Sequence, residues 1–433
     1  MRILVVSMDA SGGDLAWRLQ EEGNEVKTYI HKKAHQKHYD GILENKIKDW
    51  EKELHWVGKK GLIVFDYSGM GEIQDSLRKK GYNVVGGCRI GDLLEGNRKF
   101  GQRIFSQVGM EIEASRTFYC IDEAIDFIRR NPAAWVIKQN GQLDKDLNYV
   151  GKLEDGRDTI AVLELYKKIL PKTFVNLDLQ KRIDGVEIGV GRYFNGKDWV
   201  GPIEFNIEHK SLFPGGLGPK TYEMGTIMWY SDNEKNKLYQ ATTARMKKFL
   251  QNIGFIGDFE INCIVSKDHI FPLEATTRFG YPALQLQAQF HQSPWGEFLL
   301  ALARGKKYDL KWKKGMGIIN LVAAPPFPYH AREPRQSSEG MEVIIDPKTF
   351  KHKRKNIHLE EVYQSKKDGK LYVSSEQGYV LHVSSVKDTL FEARAEVLEI
   401  IKDITIPKMF FRNDIGAKFL NEEKPKLKKW GYI

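Results

Sequence analysis

The sequence predicts a multidomain α/β protein: a parallel, doubly wound sheet first, an α+β middle next, and a small β-rich C-terminal part last. Three observations carry this. The chain has 433 residues, and a single hydrophobic core stops growing at about 250–300, so more than one domain is required. The first hundred residues alternate short apolar runs with helical segments, as strands joined by crossover helices do. Beyond residue 110 the strand-like runs come in pairs separated by tight turns, as antiparallel hairpins do.

The elements follow in order. RILVV (2–6) reads as a buried parallel strand. The small polar residues 7–13 make a turn, 14–22 a helix and 25–30 a second strand. Residues 62–65 form another strand, which runs into YSGMG and a helix, and 83–85 form the next. Ligands of such sheets bind at the carboxyl ends of strands, which points to the turns after Val6 and Phe65. A helix is expected over 99–108, then a strand over 113–119, a helix over 122–130 and a strand over 135–138. Later strands are expected at 186–193, 255–265 and 269–274, with FNGKDW (194–199) and VSKDHI (265–270) as hairpin turns. The strand 317–323 runs into APPFPY, a rigid loop; a strand-rich stretch (340–383) and a helix (389–402) follow. The expected domains are 1–110, 111–305 and 306–433.

Composition narrows the function classes. Hydrophobic content is 41%, ordinary for a globular enzyme, and no apolar run is long enough to span a bilayer. The N-terminus carries no signal-peptide pattern. Cys88, Cys120 and Cys263 are isolated from one another, which fits neither a disulfide framework nor a CxxC zinc site and does fit a reducing cytoplasm. The net charge is +10, but the basic residues are scattered and accompany no helix-turn-helix, zinc finger or RNA-binding signature, so no specific nucleic acid is expected. A positive balance also suits a cleft that gathers ATP and other anions.

Several residues point to chemistry. Lys138 ends the strand AAWVIK before a Gly-containing loop, where an ammonium can reach nucleotide phosphates; the ordinary alternative is a solvated strand-end lysine. Glu260 and Glu274 interrupt two apolar strand-forming runs joined by a tight turn. Buried carboxylates are costly unless paired or metal-bound, and two on neighbouring strands suit Mg²⁺ with ATP phosphates. Arg278 lies four residues on and can hold a substrate carboxylate bidentately; a structural Glu–Arg pair is the competing reading. The Gly- and Pro-rich stretch 209–225 carries Lys210 and Lys220 and can wrap an anion with backbone amides, or be a plain hairpin tip. SMDASGGDLAW (7–17) lacks GxGxxG, so dinucleotide binding is weakly supported. There is no GxSxG nucleophile elbow.

Taken together and in order, these pieces resemble the phosphoribosylamine–glycine ligase family of the ATP-grasp enzymes, nearly end to end. LEGNRKF (94–100) is similar to the segment that opens the family's grasp module, which places Arg98 near ATP. VIKQNG is similar to VIKADG, with Lys138 on the ATP phosphates. IDGVEIGV resembles LDGEEAS, so Glu187 falls on the acid after the hinge. EHK and GLGPKTYEMG resemble the DHK and TGPNTGGMG of the substrate loop, giving Lys210 to ATP and Lys220 to substrate. LEATTRFGYP resembles IEFNCRFGDP, which carries the metal Glu (Glu274) and the Arg (Arg278). FFRNDIG resembles the closing RxDIG signature. The departures are equally specific. The glycine-rich phosphate loop is replaced by GQLDKDLNYVG. Thr276 stands where the family has a metal-binding Asn. Glu260 restores a carboxylate common in other ATP-grasp enzymes. The N-terminal turns lose an Arg and a His and gain Asp9, Asp14 and Asp66.

The resemblance implies an ATP-dependent ligase that joins an amino-acid carboxylate to an amine through an acyl phosphate. Mg²⁺ or Mn²⁺ would sit on Glu260, Glu274 and Thr276. Glycine is the first candidate amino acid and phosphoribosylamine the first candidate amine, with Gly12 and Gly13 offering helix N-terminal amides to a phosphate and Asp66 contacting the acceptor. The alternatives are an amide ligase for a different amine or amino acid, such as a modified nucleotide, and a non-catalytic nucleotide-binding homologue. An NAD-dependent oxidoreductase would account for the first 110 residues alone.

Overall fold

The computed structural model describes residues 1–139, 147–170, 176–329, 333–375 and 377–433. The opening sheet contains β1 (Arg2–Ser7), β2 (Glu25–Ile30), β3 (Lys46–Ile47), β4 (Leu62–Phe65) and β5 (Asn83–Val85), in spatial order β3-β2-β1-β4-β5. All its pairings are parallel. β1 buries every residue after its first, and β4 buries all four of its residues, which is why both read as unbroken apolar runs. Strand order reverses between β1 and β4, so the crevice outside their carboxyl ends is the switch point where such sheets bind ligands.

A second, antiparallel sheet is built from β6 (Ser115–Phe118), β7 (Trp135–Gln139), β8 (Tyr149–Val150) and β9 (Leu177–Lys181), in the order β6-β9-β7-β8. Helices Ile121–Arg130 and Arg157–Ile169 cover it: Ile121, Ile125, Ile128, Leu163 and Tyr166 pack on Phe118, Trp135, Ile137 and Leu179. The second of these helices was not expected from the sequence, although Thr159, Leu163 and Tyr166 recur at helical spacing on its buried side.

The third sheet is the largest. It comprises β10 (Val186–Asn195), β11 (Trp199–Glu208), β14 (Gly225–Ser231), β15 (Ile256–Val265), β16 (Ile270–Thr276) and β17 (Met316–Ala323), with a short hairpin of β12 (Ser211–Phe213) and β13 (Leu217–Lys220) beside it. The order β16-β15-β10-β11-β14-β17 continues into strands Leu381–Lys387 and Ile357–Leu359. Both expected hairpin turns join antiparallel neighbours, β10 to β11 and β15 to β16. The stretch expected to be strand-rich also holds a helix that was not expected, Pro347–Lys353, in which Asp346 accepts from the Thr349 N–H, with proline in the first turn. Helix Leu390–Lys402 opens on a capping box of Thr389 and Glu392.

Candidate active site

Residues directly opposite each other on antiparallel strands point to the same face. Glu260 pairs with Thr276 and Asn262 with Glu274 across β15 and β16. Across β10 and β15, Gly189 pairs with Asn262, Gly191 with Glu260 and Tyr193 with Asp258. Across β10 and β11, Gly191 pairs with Glu204 and Gly189 with Asn206. One face of four strands therefore carries Glu204, Asp258, Glu260 and Glu274 with Asn206, Asn262 and Thr276. Gly189 leaves room for the Asn206 side chain, which a Cβ there would meet.

The acids on this face differ. Glu274 is exposed, whereas Glu260 is 9% exposed and accepts a hydrogen bond from the Asn206 amide. Burial first, then Glu204, Glu208 and Asp258, push the Glu260 carboxyl well above its usual range. Glu204 and Asp258 are also raised by burial, and Gln287 donates to both at 2.9 Å. The sequence reading set Glu260 and Glu274 on neighbouring strands, as β15 and β16 are. The register gives Asn262 as the residue opposite Glu274, with Glu260 one pair further along the same face. Asn262 was missed because a neutral amide does not stand out in a strand as an acid does.

Three cations lie within the field of Glu274. Its charge acts on Arg98, Lys138 and Lys210 alike. Lys138 is the last residue but one of β7, opposite Asp178, whose carboxylate accepts from Thr117 Oγ1 at 2.6 Å. Burial and then Arg98 lower the Lys138 ammonium to about 8, against Glu274, Glu187 and Asp178. Arg98 opens the helix Arg98–Gln107 and donates to Leu273 O at 3.3 Å and Gln180 Oε1 at 3.1 Å. Lys210 Nζ lies 2.6 Å from Glu208 and 3.5 Å from Glu187, and these acids hold its ammonium charged despite burial. The altered phosphate loop GQLDKDLNYVG falls largely outside the described residues, at 141–146.

Arg278 links this face to the N-terminal sheet. Its Nε lies 3.0 Å from Glu95 Oε1, and the Thr277 N–H donates to the other Glu95 oxygen at 2.9 Å. Asp66 and Asp9 also act on its charge. So Arg278 already holds a carboxylate within the fold. Glu95 lies in the LEGNRKF segment, but its partner is 183 positions away, and local sequence carried no signal of that contact.

At the switch point the structure corrects two expectations. Gly12 N–H and Gly13 N–H were expected to be open to a phosphate. Instead Gly12 donates to Asp66 Oδ2 at 2.6 Å and Gly13 to Ala10 O at 2.8 Å, and Tyr39 packs against Gly13. Asp66 was expected to face the acceptor. It is 3% exposed, and Ser7 Oγ also donates to its Oδ2, at 2.5 Å. Burial raises its carboxyl to about 7, while the Ser7 hydrogen bond opposes the shift. Asp66 Oδ1 is buried without a hydrogen-bond partner among the described residues.

The substrate-loop stretch and the closing motif meet in space. Arg412 donates to Ser211 O at 2.9 Å and pairs with Asp414 at 2.7 Å; Asp414 accepts from Gly215 N–H at 2.8 Å; and Gly416 N–H donates to His209 Nε2 at 3.2 Å. Lys220 Nζ donates to Ser211 Oγ at 3.2 Å, and Glu187 and Lys210 act on its charge. Glu223, in the same loop, is 2% exposed with Oε1 unpartnered among the described residues.

No family model matches the chain. The phosphoribosylamine–glycine ligase of Listeria monocytogenes is 24% identical over 435 residues, covering 96% of this chain and all of the relative. The crystal structure of the Thermotoga maritima phosphoribosylamine–glycine ligase superposes with a TM-score of 0.72 at 19% identity, over 96% of this chain and 100% of that one. The biotin carboxylase domain of Hydrogenobacter thermophilus 2-oxoglutarate carboxylase, solved with MgADP and bicarbonate, reaches 0.65 at 11% identity over 99% and 97%. The likeness thus runs the length of the chain, and the mixed α/β fold is the one these enzymes share.

Proposed function

We propose that this chain is an ATP-dependent carboxylate–amine ligase of the ATP-grasp type, which activates a small amino acid as an acyl phosphate and passes it to an amine. The observation that carries the reading is that Arg98, Lys138 and Lys210 lie within the field of Glu274 at the edge of an acidic sheet face. Glu260, buried beside Glu204 and Asp258, fits a divalent ion, and Glu274, Asn262, Glu260 and Thr276 are the oxygen donors that would hold Mg²⁺ or Mn²⁺. Bound there, the ion would neutralise charge on the ATP phosphates.

The chain's own groups do the rest. Lys138 and Arg98 hold the phosphates and stabilise the charge that spreads over the transferred group. The amino-acid carboxylate attacks the γ-phosphorus as its bond to ADP breaks. Arg278, held by Glu95 between the acidic face and the N-terminal turns, positions that carboxylate. The amine then attacks the acyl carbon and phosphate leaves. Lys220 and the loop braced by Arg412 cover this end. The same proposal includes domain boundaries at 110 and 305 and a cytoplasmic site of action. Among the described residues, no helix is long and apolar enough to cross a membrane.

Glycine is the first candidate amino acid and phosphoribosylamine the first amine, by analogy with the relatives' names. A second reading keeps the chemistry and changes the amine. It is favoured by the Gly12 amide, already committed to Asp66, in a turn where Asp9 and Asp66 disfavour a sugar phosphate dianion. ADP release should be measured with glycine and a panel of amines that includes phosphoribosylamine. ADP formation dependent on both glycine and an amine is expected. Turnover of phosphoribosylamine alone among the amines would dismiss the second reading, and no ADP with any pair would dismiss both in favour of a non-catalytic homologue.

A further inference from the structure

A separate cluster lies at the carboxyl end of the N-terminal sheet and takes no part in the ligase chemistry above. His35 and His38 follow β2, three residues apart, and Glu361 comes from the C-terminal part of the chain. One donor atom from each lies within 4.8 Å of the other two. All three side chains are buried: 8% exposed for His35, 1% for His38 and 5% for Glu361. His38 Nε2 and His35 Nδ1 are 2.9 Å apart, and His38 Nδ1 is 2.6 Å from Ser374 Oγ. With its proton on Nδ1, donated to Ser374, His38 turns the Nε2 lone pair toward His35. That is how a polar partner orients a metal-binding imidazole. The Tyr379 N–H donates to Glu361 at 2.9 Å and fixes the carboxylate.

We propose that His35, His38 and Glu361 bind a divalent first-row transition-metal ion, with Zn²⁺ the best match. Two imidazoles and a carboxylate form a borderline donor set, suited to zinc or iron rather than to Mg²⁺, which takes oxygen ligands. Burial lowers the pKa of both imidazoles, which favours the neutral form that a ligand must take, and raises the Glu361 carboxyl to about 7. Three protein ligands leave a coordination position open. Asp9, whose charge acts on His35, on Glu361 and on Arg278, sets the cluster beside the turn after β1. The ion would also tie residues 35–38 to 361–374, more than three hundred positions away in sequence, so binding should register as thermal stability.

The test uses the full chain, stripped with a chelator and titrated with Zn²⁺ against a chromophoric competitor in the presence of Mg²⁺. One Zn²⁺ per chain is expected, with Tm raised by about 3 °C at a hundredfold excess over Kd. Co²⁺ should give visible absorption from the imidazole-bound ion. Glu361→Gln and His38→Gln should each weaken Zn²⁺ binding at least about tenfold. The wild-type titration stands by itself if a variant fails to fold. Absence of stoichiometric Zn²⁺ binding and of any Tm change in wild type would overturn the proposal, as would folded variants that bind Zn²⁺ as tightly as wild type.

Discussion

Lys138 carries its charge against burial and against Arg98, so its ammonium titrates near 8. Between about 8 and the ordinary lysine value of about 10.4 the unfolded chain holds this proton and the folded chain does not, so without nucleotide the stability owed to this group rises with pH through that window and is lower beneath it. Bound polyphosphate reverses the preference, because it favours the charged lysine. ATP affinity should therefore fall about tenfold between pH 7 and 9, as expected if only the protonated lysine binds. Lys138→Arg should remove the pH dependence while keeping affinity, and Lys138→Ala should bind weakly at both pH values. Calorimetric titration with Mg²⁺–ATP checks this; wild-type affinity that is flat with pH would exclude Lys138 from the phosphates. The strand placement of Lys138, Glu260 and Glu274 was legible in the sequence because each is a charge at the end of, or within, an apolar β-run. Asn262 gave no such signal. The commitment of Gly12 to Asp66 was hidden too, since it joins two turns 54 positions apart.

At the scale of elements, the stretch 209–225 is held by the closing motif, not by its own hairpin alone. Arg412 is 3% exposed and bonded to both Ser211 O and Asp414. Removing one member of a largely buried ion pair leaves the other uncompensated and costs about 3–5 kcal/mol when burial is complete. Asp414 is 24% exposed, so about 2–3 kcal/mol is expected for Arg412→Ala. Hydrogen exchange should speed up in 209–225 more than in β10 or β15, and ligase activity should fall. Uniform exchange across the chain would mean that the brace does not control the loop. Both segments were legible as motifs; that they touch was not, because roughly two hundred residues separate them. Four of the five strands of the parallel sheet were read, since buried parallel strands are continuous apolar runs, whereas β3, two half-buried residues, was not. The helix Arg157–Ile169 was missed because its polar side is long and its buried stripe narrow.

Across the whole molecule, the N-terminal sheet and the C-terminal part share one core: Ile3, Val5 and Leu19 belong to the same buried cluster as Val362, Val380 and Leu381. Asp14 reinforces the junction by pairing with Arg18 at 2.7 Å and His358 at 2.8 Å, which explains one of the acids gained in the N-terminal turns without reference to substrate. The turn after β1 is thus walled by both ends of the chain, with Asp9 and Asp66 acting on Arg278, while Arg98, Lys138 and Lys210 lie at the edge of the large sheet. This layout suits a reaction in two stages, activation at one end and amine attack at the other. Its most direct test is isotopic. Glycine labelled with ¹⁸O in its carboxylate should be incubated with Mg²⁺–ATP and an amine, and the inorganic phosphate analysed by mass. Passage through an acyl phosphate predicts one ¹⁸O atom in each phosphate released. Amide formation that leaves the phosphate unlabelled would contradict it.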